Sequence, residues 1–418
     1  MTTDPIRITS RAELVDALAV ACELEHGLSL QYLFAAFSLR KDPDEGLVDD
    51  LELVAVRKWA ANIFFVAAQE MLHLAQASNL LLAIGGAPHL ARPNFPQLAG
   101  TYPPDLGWEL SAFSVPTLER FIAYERPDPD PGSAADSKPE PEPGDPIVPS
   151  RLTHASIGQM YAAIEQAFAN LAIPNSQLFI GDPNDQLPGW LVNFPQLVEV
   201  IDRETAKRVT LLIIDQGEGT RRDSVDSHYG IFSAINTELN EMLRANPSFE
   251  PARPVADNPL CELHTFIGSD PDAPVVNIIS DPTTRAVQDL FTVAYDVLVL
   301  ALFRNFAAGR SDEGASVLKQ VTLGLMMTVI RPLGELLTRL PMGPGYVGLT
   351  AGPSFEYFPE IELLPHAAAA RIAMAERLDD AAAAAEVLAR SNALDPGKAG
   401  VIASVGSNLA RFAVALRG

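Results

Sequence analysis

The chain has 418 residues, of which 48% are hydrophobic and 20% charged, so it is long enough for two or three domains and too apolar to be globally disordered. Thirty basic and 53 acidic residues give a net charge of −23, which argues against binding to nucleic acids or to anionic membrane surfaces. Cys22 and Cys261 lie far apart in the sequence and form neither a thiolate metal motif nor a disulfide framework. Because the N-terminus also lacks a leader pattern, we expect a cytoplasmic protein.

Two long helices are predicted at the start of the chain. Apolar residues at helical spacing indicate a helix over 12–39, preceded by Ser10 with Glu13 three residues later, as in a capping box. A second helix over 51–84 ends at Gly85. Because the connecting loop is short, we expect the two helices to pack antiparallel.

Further helices follow, with one interruption. A short helix over 115–125 precedes a Pro- and acid-rich stretch, 127–146, which we expect to be a disordered insertion because it has no large apolar residue. The later predicted helices are 156–171, 195–217, 283–308, 314–340, 367–390 and 398–417. The apolar stretch 290–303 contains Asp296 and is too short to span a membrane, so we interpret it as a buried helix. We therefore predict an all-α protein with a helical bundle in residues 1–250 and an additional helical region in 251–418.

The second predicted helix carries the first candidate ligands. Glu70 and His73 are three residues apart, so both project from the same face and could reach one metal ion. A surface Glu–His pair is the alternative for so short a motif. The rest of this face is apolar, namely Val56, Ala60, Ile63, Ala67, Leu74, Ala77 and Leu81. A carboxylate buried among such residues needs a partner, either a cation or a Glu–His or Glu–Arg network.

Four other carboxylates occupy similar positions. Glu25 lies on an apolar stripe of the first helix, whereas Glu23 is expected to be solvated. Glu165 is predicted to face inward from the helix over 156–171. Asp215 and Glu218 come at the C-terminal end of an apolar helix, where the helix dipole disfavours negative charge unless a cation is bound there or the end frays into solvent.

Together these residues approach the ligand pattern of a ferritin-like di-metal bundle, in which two helices each supply a Glu and two others each supply a Glu-x-x-His. The predicted metal ligands are Glu25, Glu70, His73, Glu165, Asp215, Glu218 and His228. His228 can take part only if the chain breaks at Gly219 and folds back. Carboxylate and imidazole ligands favour iron or manganese. Tyr32 and Tyr161 are candidate catalytic residues near these ligands, with core packing as the alternative for both.

Several runs of the sequence carry a resemblance to a known family. They are ACELEHGLSLQYL (21–33), EMLHLAQASNLLLAIGGAP (70–88), SIGQMYAAIEQA (156–167), IIDQGEGT (213–220) and DSHYGIF (226–232). The chain resembles the ferritin-like domain of the iminophenylpyruvate-dimer synthases of the violacein, rebeccamycin and staurosporine pathways. The resemblance implies a metal-binding helical core in which Glu25, Glu70, His73, Glu218 and His228 match the acidic and histidine positions of the motifs. Asp215 stands where relatives usually have Glu, and the chain is shorter than the complete synthases, so we expect a stand-alone relative whose reaction is its own.

The predicted fold is thus a ferritin-like four-helix bundle with a second helical region. The predicted function is that of a non-haem di-metal oxidoreductase with two Fe ions, or Mn, that acts with O2 or peroxide on a small, amino-acid-derived substrate in specialised metabolism. The alternative is a ferritin-like protein that oxidises and handles iron, although the insertion and the second helical region favour a substrate pocket over a ferritin cage. A metal-free carboxylate network stays open as well, and so does a homo-oligomer.

Overall fold

The structure is a computed structural model that describes residues 8–46, 50–97, 102, 106–127, 156–217, 225–262, 275–308, 314–358 and 366–418. Its helices are α1 (Arg11–Ser38), α2 (Asp50–Ala83), α3 (Val115–Tyr124), α4 (Ile157–Asn170), α5 (Asn175–Leu178), α6 (Gly189–Val192), α7 (Arg203–Gly217), α8 (His228–Ala245), α9 (Pro282–Ala308), α10 (Ala315–Leu325), α11 (Arg331–Leu337), α12 (Ala367–Arg390) and α13 (Pro396–Arg417). Two short parallel strands, β1 (Pro259–Leu260) and β2 (Asn277–Ile278), pair Pro259 with Asn277. The predicted all-α class is confirmed.

The first two helices begin and end where the sequence predicts. The backbone N–H of Glu13 donates to Ser10 Oγ (3.2 Å), which caps α1. α2 ends before Gly85, which has a left-handed φ of 87° that favours glycine. Arg11 at the start of α1 donates to the carbonyl of Ile84 just after α2 (3.4 Å), so the two helices are antiparallel as expected.

The other side of the bundle is built from shorter helices. α3 packs against α8 and α4 packs against α7, while α1 contacts α4 and α2 contacts both α7 and α8. The rest of the bundle is therefore built from four shorter helices, α3, α4, α7 and α8, rather than from two long ones. The ends of these helices face the middle of α1 and α2.

The predicted helix over 195–217 begins later than the sequence indicated. Asp202 caps α7, since its Oδ1 accepts a hydrogen bond from the backbone N–H of Thr205 (2.8 Å). The apolar residues before Asp202 lie in an irregular segment. α8, which the sequence analysis did not separate as a helix, begins at His228.

The second helical region packs on the bundle. α12 and α13 form a hairpin, and α9 contacts α10, α11 and α12. α9 also contacts α2, and α11 contacts α1. One cluster of buried apolar side chains runs through both regions, from Ile8 to Leu416. The predicted boundary near residue 250 stays a prediction, and of the predicted insertion over 127–146 only Pro127 lies among the described residues.

The predicted helix over 314–340 is interrupted by a π-helical turn, Met326–Ile330, between α10 and α11. Pro332 lacks an N–H, so it cannot donate to the carbonyl of Thr328 four residues earlier. Asn408 Nδ2 donates to that carbonyl instead (3.4 Å). The proline therefore explains the local change of helix geometry.

Two helices are long and apolar enough to cross a membrane by length and composition, in the segments Pro282–Ala307 and Pro396–Arg417. Two such helices are weak evidence for a membrane, because core helices of soluble proteins pass the same test. In the first, 67% of the most apolar window is buried inside the protein, which agrees with the buried helix predicted around Asp296.

Candidate metal centre

Two groups of buried ligand-type side chains lie side by side in the bundle. Glu25, Glu70 and His73 form one group, and Glu70, Glu125 and His228 form the other; within each, the candidate ligand atoms lie within 4.8 Å of one another. All five residues are buried. Glu70 belongs to both groups, so the two groups share one carboxylate.

Each side chain is placed by the element that carries it. Glu25 projects from the middle of α1, and Glu70 and His73 project from one face of α2. Glu125 is the residue that ends α3, and its backbone N–H donates to the carbonyl of Phe121. His228 is the first residue of α8. The long helices α1 and α2 thus supply three of the side chains from their middles, and the shorter helices α3 and α8 supply the other two from their ends.

Both imidazoles present the same nitrogen to the carboxylates. His73 Nδ1 lies 3.0 Å from Glu70 Oε2 and 3.4 Å from Glu25 Oε2. His228 Nδ1 lies 3.1 Å from Glu70 Oε1 and 3.6 Å from Glu125 Oε1. The two rings are stacked, with centroids 5.4 Å apart.

The opposite nitrogens are held by glutamines. His73 Nε2 lies 2.9 Å from Gln216 Oε1, and His228 Nε2 lies 3.2 Å from Gln69 Oε1. An amide oxygen only accepts hydrogen bonds, so each Nε2 carries the proton and donates it. With a cation bound among the carboxylates, each imidazole would be neutral and would offer its Nδ1 lone pair to that cation, as expected of metal ligands oriented by outer hydrogen bonds.

The carboxylate of Glu70 faces a different imidazole with each oxygen. Glu70 Oε1 and His228 Nδ1 approach to 3.1 Å as an ion pair, but their alignment is too poor for a hydrogen bond, and neither atom forms a well-aligned hydrogen bond with another described residue. A buried pair with such geometry is costly unless a further group binds it. A cation between the carboxylates and the imidazoles would satisfy both atoms.

Two tyrosines hold the outer carboxylates. Tyr161 on α4 donates to Glu25 Oε1 (2.5 Å), and Tyr32 on α1 donates to Glu125 Oε1 (2.5 Å). Burial raises the pKa of each tyrosine, and the carboxylate it contacts raises it further, so both phenols stay protonated. Each outer carboxylate therefore has one oxygen fixed by a phenol.

Burial and mutual repulsion also affect the titration of the acids and histidines. Burial raises the pKa of Glu25 to about 7, and the charge of Glu70 contributes. Burial would lower the pKa of His228, but Glu70 and Glu125 raise it to about 9. The same balance with Glu25 and Glu70 raises the pKa of His73. The three carboxylates thus require positive charge within the group, either as protons on the imidazoles or as metal ions.

A cavity of about 20 Å³ lies among these groups, large enough for one water-sized sphere. Its walls combine Glu25, Glu70, His73, Glu125 and Tyr161 with Leu28, Ile157, Gly158, Ile213, Ile214 and Gly217. At Gly217 an added Cβ would lie 3.3 Å from Glu125 Oε2, so the small residue lets the end of α7 approach the carboxylate. The site is therefore enclosed largely by apolar side chains.

Comparison with known proteins identifies the fold family. A family model described as Ferritin-like matches residues 18–237, more than half of the chain, and this range contains all five clustered residues. The chain belongs to the ferritin-like family. A solved ferritin-like protein from Caulobacter vibrioides covers 77% of this chain and is itself covered to 96%, with 18% identity and a TM-score of 0.44.

Two curated proteins from biosynthetic pathways are similar over most of this ferritin-like chain. The 2-imino-3-(indol-3-yl)propanoate dimerase of Chromobacterium violaceum is 28% identical over 382 residues, 84% of this chain and 34% of that protein. The dichlorochromopyrrolate synthase of Lentzea aerocolonigenes is 29% identical over 435 residues, 94% of this chain and 40% of that protein. The chain therefore spans between about a third and two fifths of the length of these relatives.

The structure brings together four of the seven predicted ligands, namely Glu25, Glu70, His73 and His228. α7 ends at Gly217 and α8 begins at His228, so these two residues do not lie on one continuous helix, as the participation of His228 requires. Gly219, where the break was predicted, lies outside the described residues. Glu218 lies outside the described residues.

Two other predicted ligands are not part of either group. Glu165 lies on α4 one turn beyond Tyr161 and is only half-buried, because the cavity meets α4 at its first turns. Asp215 is exposed on α7, and the next residue, Gln216, turns towards His73 instead. α4 and α7 therefore contribute hydrogen-bonding groups where the sequence analysis placed carboxylates.

Glu125 was missed by the sequence analysis, as were Gln69 and Gln216. A signal for Glu125 was present, since it continues the apolar stripe of Leu118 and Phe121 at helical spacing. This signal is weak because α3 is short and is followed by the predicted insertion, so the sequence gives no indication that α3 belongs to the bundle. The glutamines carry no pattern that distinguishes them from surface residues.

Proposed function

We propose that this ferritin-like protein is a non-haem di-metal oxidoreductase, with two iron ions or manganese in their place, that uses O2 or peroxide. The observation that carries the proposal is the shared carboxylate, since each oxygen of Glu70 faces a different imidazole Nδ1 and a different outer carboxylate. A single ion would need only one of these two groups.

The donor set fits such ions. Glu25, Glu70 and Glu125 carry three negative charges, and His73 and His228 add two neutral nitrogen ligands, so two divalent cations would come close to neutralising the site. Oxygen and imidazole donors without a thiolate suit iron and manganese. Measuring the metal content of variants at Glu218, Glu165 and Asp215 tests whether any of these predicted residues is a further ligand.

The protein's own groups would hold the centre in place. Bound metal supplies the redox chemistry towards O2 or peroxide. Tyr32 and Tyr161 fix one oxygen of each outer carboxylate and keep a proton next to the site, which is the basis for their proposed catalytic role. Gln69 and Gln216 keep both imidazoles in the tautomer that presents Nδ1. Apolar side chains form the rest of the cavity wall and would limit the water beside the centre to about one molecule.

The substrate class is inferred from the relatives. One acts, by its name, on an indole-bearing imino acid, and the other forms dichlorochromopyrrolate. We therefore propose a small, amino-acid-derived substrate in specialised metabolism and a cytoplasmic protein whose charge of −23 keeps it away from nucleic acids and anionic membranes. Because the chain spans less than half of these relatives, their complete reactions are not transferred to it.

The proposal is tested by loading the purified protein with Fe(II) anaerobically and measuring O2 consumption with and without amino-acid-derived imino acids, including the indole compound. We expect iron binding to saturate at about two ions per chain and O2 consumption to depend on the substrate. Glu70→Gln should abolish this O2 consumption. Uptake of many iron ions per chain without need of substrate would indicate an iron-handling protein instead. Failure to bind either metal would leave the carboxylates as a structural network and overturn the proposal.

A further inference from the structure

A second, much larger cavity lies away from the metal centre, between the bundle and the second helical region. Its volume is about 360 Å³, within the range of small-molecule sites, and such sites often lie between packed units. Its walls include Leu33, Phe37, Phe64, Met71, Leu298 and Met326. On α1 and α2 these side chains occupy a different face from Glu25 and Glu70, so the helices separate the two sites.

The wall contributed by the second region depends on the π-helical turn. Met326, Met327 and Ile330 of this turn line the cavity, and Arg331 follows at its edge. Since Pro332 causes the turn and Asn408 satisfies the freed carbonyl, the irregular wall is part of the stable fold. Flexible methionine side chains at such a wall adapt to ligands of varied shape.

The polar groups in the floor of the cavity are already bonded to one another. His26 uses Nδ1 to donate to the carbonyl of Leu90 (2.9 Å) and Nε2 to accept from the hydroxyl of Tyr295 (2.7 Å). Ser29 donates to the carbonyl of His26 (2.8 Å), and Arg92 donates to the Tyr295 hydroxyl (3.2 Å). The floor therefore presents rings and apolar carbon to a ligand.

The mouth differs from the floor in carrying the guanidinium of Arg331, which has Lys41 beside it. Arg331 Nε and Lys41 Nζ lie 3.2 Å and 2.9 Å from the same carboxylate oxygen of Glu335. Both cations also lie over the ring of Phe64, at 4.4 Å and 5.2 Å from its centroid. Two cations thus share one carboxylate, and the Arg331 side chain remains 43% exposed on a chain whose net charge is −23.

We propose that this cavity binds an apolar monoanion, an aromatic or medium-chain carboxylic acid, with its body among the apolar walls and its carboxylate at Arg331. The exposed rim supports an open entrance, since Phe65 is 54% and Met327 60% exposed and both line the cavity. Arg331 offers a planar guanidinium that suits a carboxylate. The site is independent of the proposed metal chemistry.

Two fluorescent probes of similar shape test the proposal on the full chain: anionic 1-anilinonaphthalene-8-sulfonate and neutral N-phenyl-1-naphthylamine. We expect one saturable site for each. Arg331→Gln should weaken the anionic probe about tenfold and the neutral probe much less, as expected for the loss of one charged hydrogen bond. Arg411→Gln is the matched control, because Arg411 also lies over a phenylalanine ring but does not line the cavity.

A cavity-filling change tests the location. Ala68 lines the cavity, so Ala68→Phe should remove both probes, whereas Ala403→Phe on the exposed side of α13 should not. Displacement by decanoate or by naphthalene-1-acetate then separates an acyl from an aromatic ligand. The proposal would be overturned if each probe bound the parent, Arg331→Gln and Ala68→Phe proteins with the same affinity. It would also be overturned if probe binding increased in parallel with self-association of the protein. Metal content should be unchanged in these variants, so the two proposals fail separately.

Discussion

Glu25 and Glu23 lie two residues apart on α1 and have similar partners. Glu25 contacts His73 and Tyr161, whereas Glu23 lies 3.0 Å from His89 and accepts from Tyr102 (2.5 Å). The expectation that Glu23 is solvated is therefore wrong, since its side chain is only 15% exposed. The two acids differ in that only Glu25 belongs to a group that could hold a metal ion.

This pair provides a matched test of the metal ligands. Glu25→Gln should lower the metal content from about two ions per chain towards one, because one group loses its outer carboxylate. Glu23→Gln should leave the content unchanged, although both variants lose a buried Glu–Tyr contact. Metal analysis after reconstitution measures this. Equal losses in both variants would mean that the change in content reflects general destabilisation.

A second pair tests which helix supplies the other outer carboxylate. We expect Glu125→Gln to remove about one ion per chain and Glu165→Gln to remove none, because only Glu125 contacts His228. Metal content and the far-ultraviolet circular dichroism of both variants check this result and the fold. Loss of metal in Glu165→Gln alone would restore the ligand set predicted from the sequence.

The residues found by sequence reasoning share one property. Glu25, Glu70 and His73 stand inside long apolar stripes, where a charged or polar side chain is conspicuous. His228 was proposed as the missing imidazole of the ligand pattern, on the condition that the chain breaks and folds back. Glu125 stands at the end of a short helix, where acids are common. Asp215 was predicted as a ligand because negative charge at a helix C-terminus is unfavourable without a cation. The packing of α7 instead turns the neighbouring Gln216 towards His73.

At the scale of elements, the long helices were predictable because periodicity and capping residues agree. The start of α1 is fixed by Ser10, and that of α7 by Asp202, a cap that the analysis passed over in favour of an earlier apolar segment. The sequence analysis expected a break before His228, as the participation of His228 requires. The packing of α3 against α8 and of α4 against α7 was not predictable, because it depends on contacts between short helices that are distant in the sequence. The π-helical turn depends on Pro332, yet a proline inside a helix does not by itself specify a π turn.

α9 allows a prediction about pH. Asp296 is buried, and its Oδ1 has no hydrogen-bond partner among the described residues. Burial raises the pKa of its carboxyl to about 6, although Arg377 opposes this. The folded protein therefore holds this proton more tightly than the unfolded chain does. The free energy of unfolding should consequently fall as the pH rises from about 4 to about 6.

Asp296→Asn removes this titration. It should raise the free energy of unfolding at pH 7 by about 3 kcal/mol and have much less effect at pH 4. Denaturant unfolding at both pH values measures the difference, with exposed Asp16→Asn as the control. A stabilisation that is the same at pH 4 and pH 7 would show that Asp296 does not titrate between them.

At the scale of the whole molecule, the ferritin-like bundle and the second region share one apolar core, and the two groups of candidate ligands lie inside the bundle. Metal that binds the folded state alone should stabilise the whole chain by mass action, by about 2.7 kcal/mol at a hundredfold excess over Kd. Thermal unfolding with increasing Mn(II) should show a rising midpoint. Glu70→Gln should abolish the rise, and a rise of the same size in that variant would place the stabilising ion elsewhere.

If two ions share Glu70, as we propose, their positions should be visible by anomalous diffraction from crystals loaded with Fe(II) or Mn(II). We expect two peaks on either side of the Glu70 carboxylate, one beside Glu25 and His73 and the other beside Glu125 and His228. A single peak, or peaks away from these residues, would contradict the account.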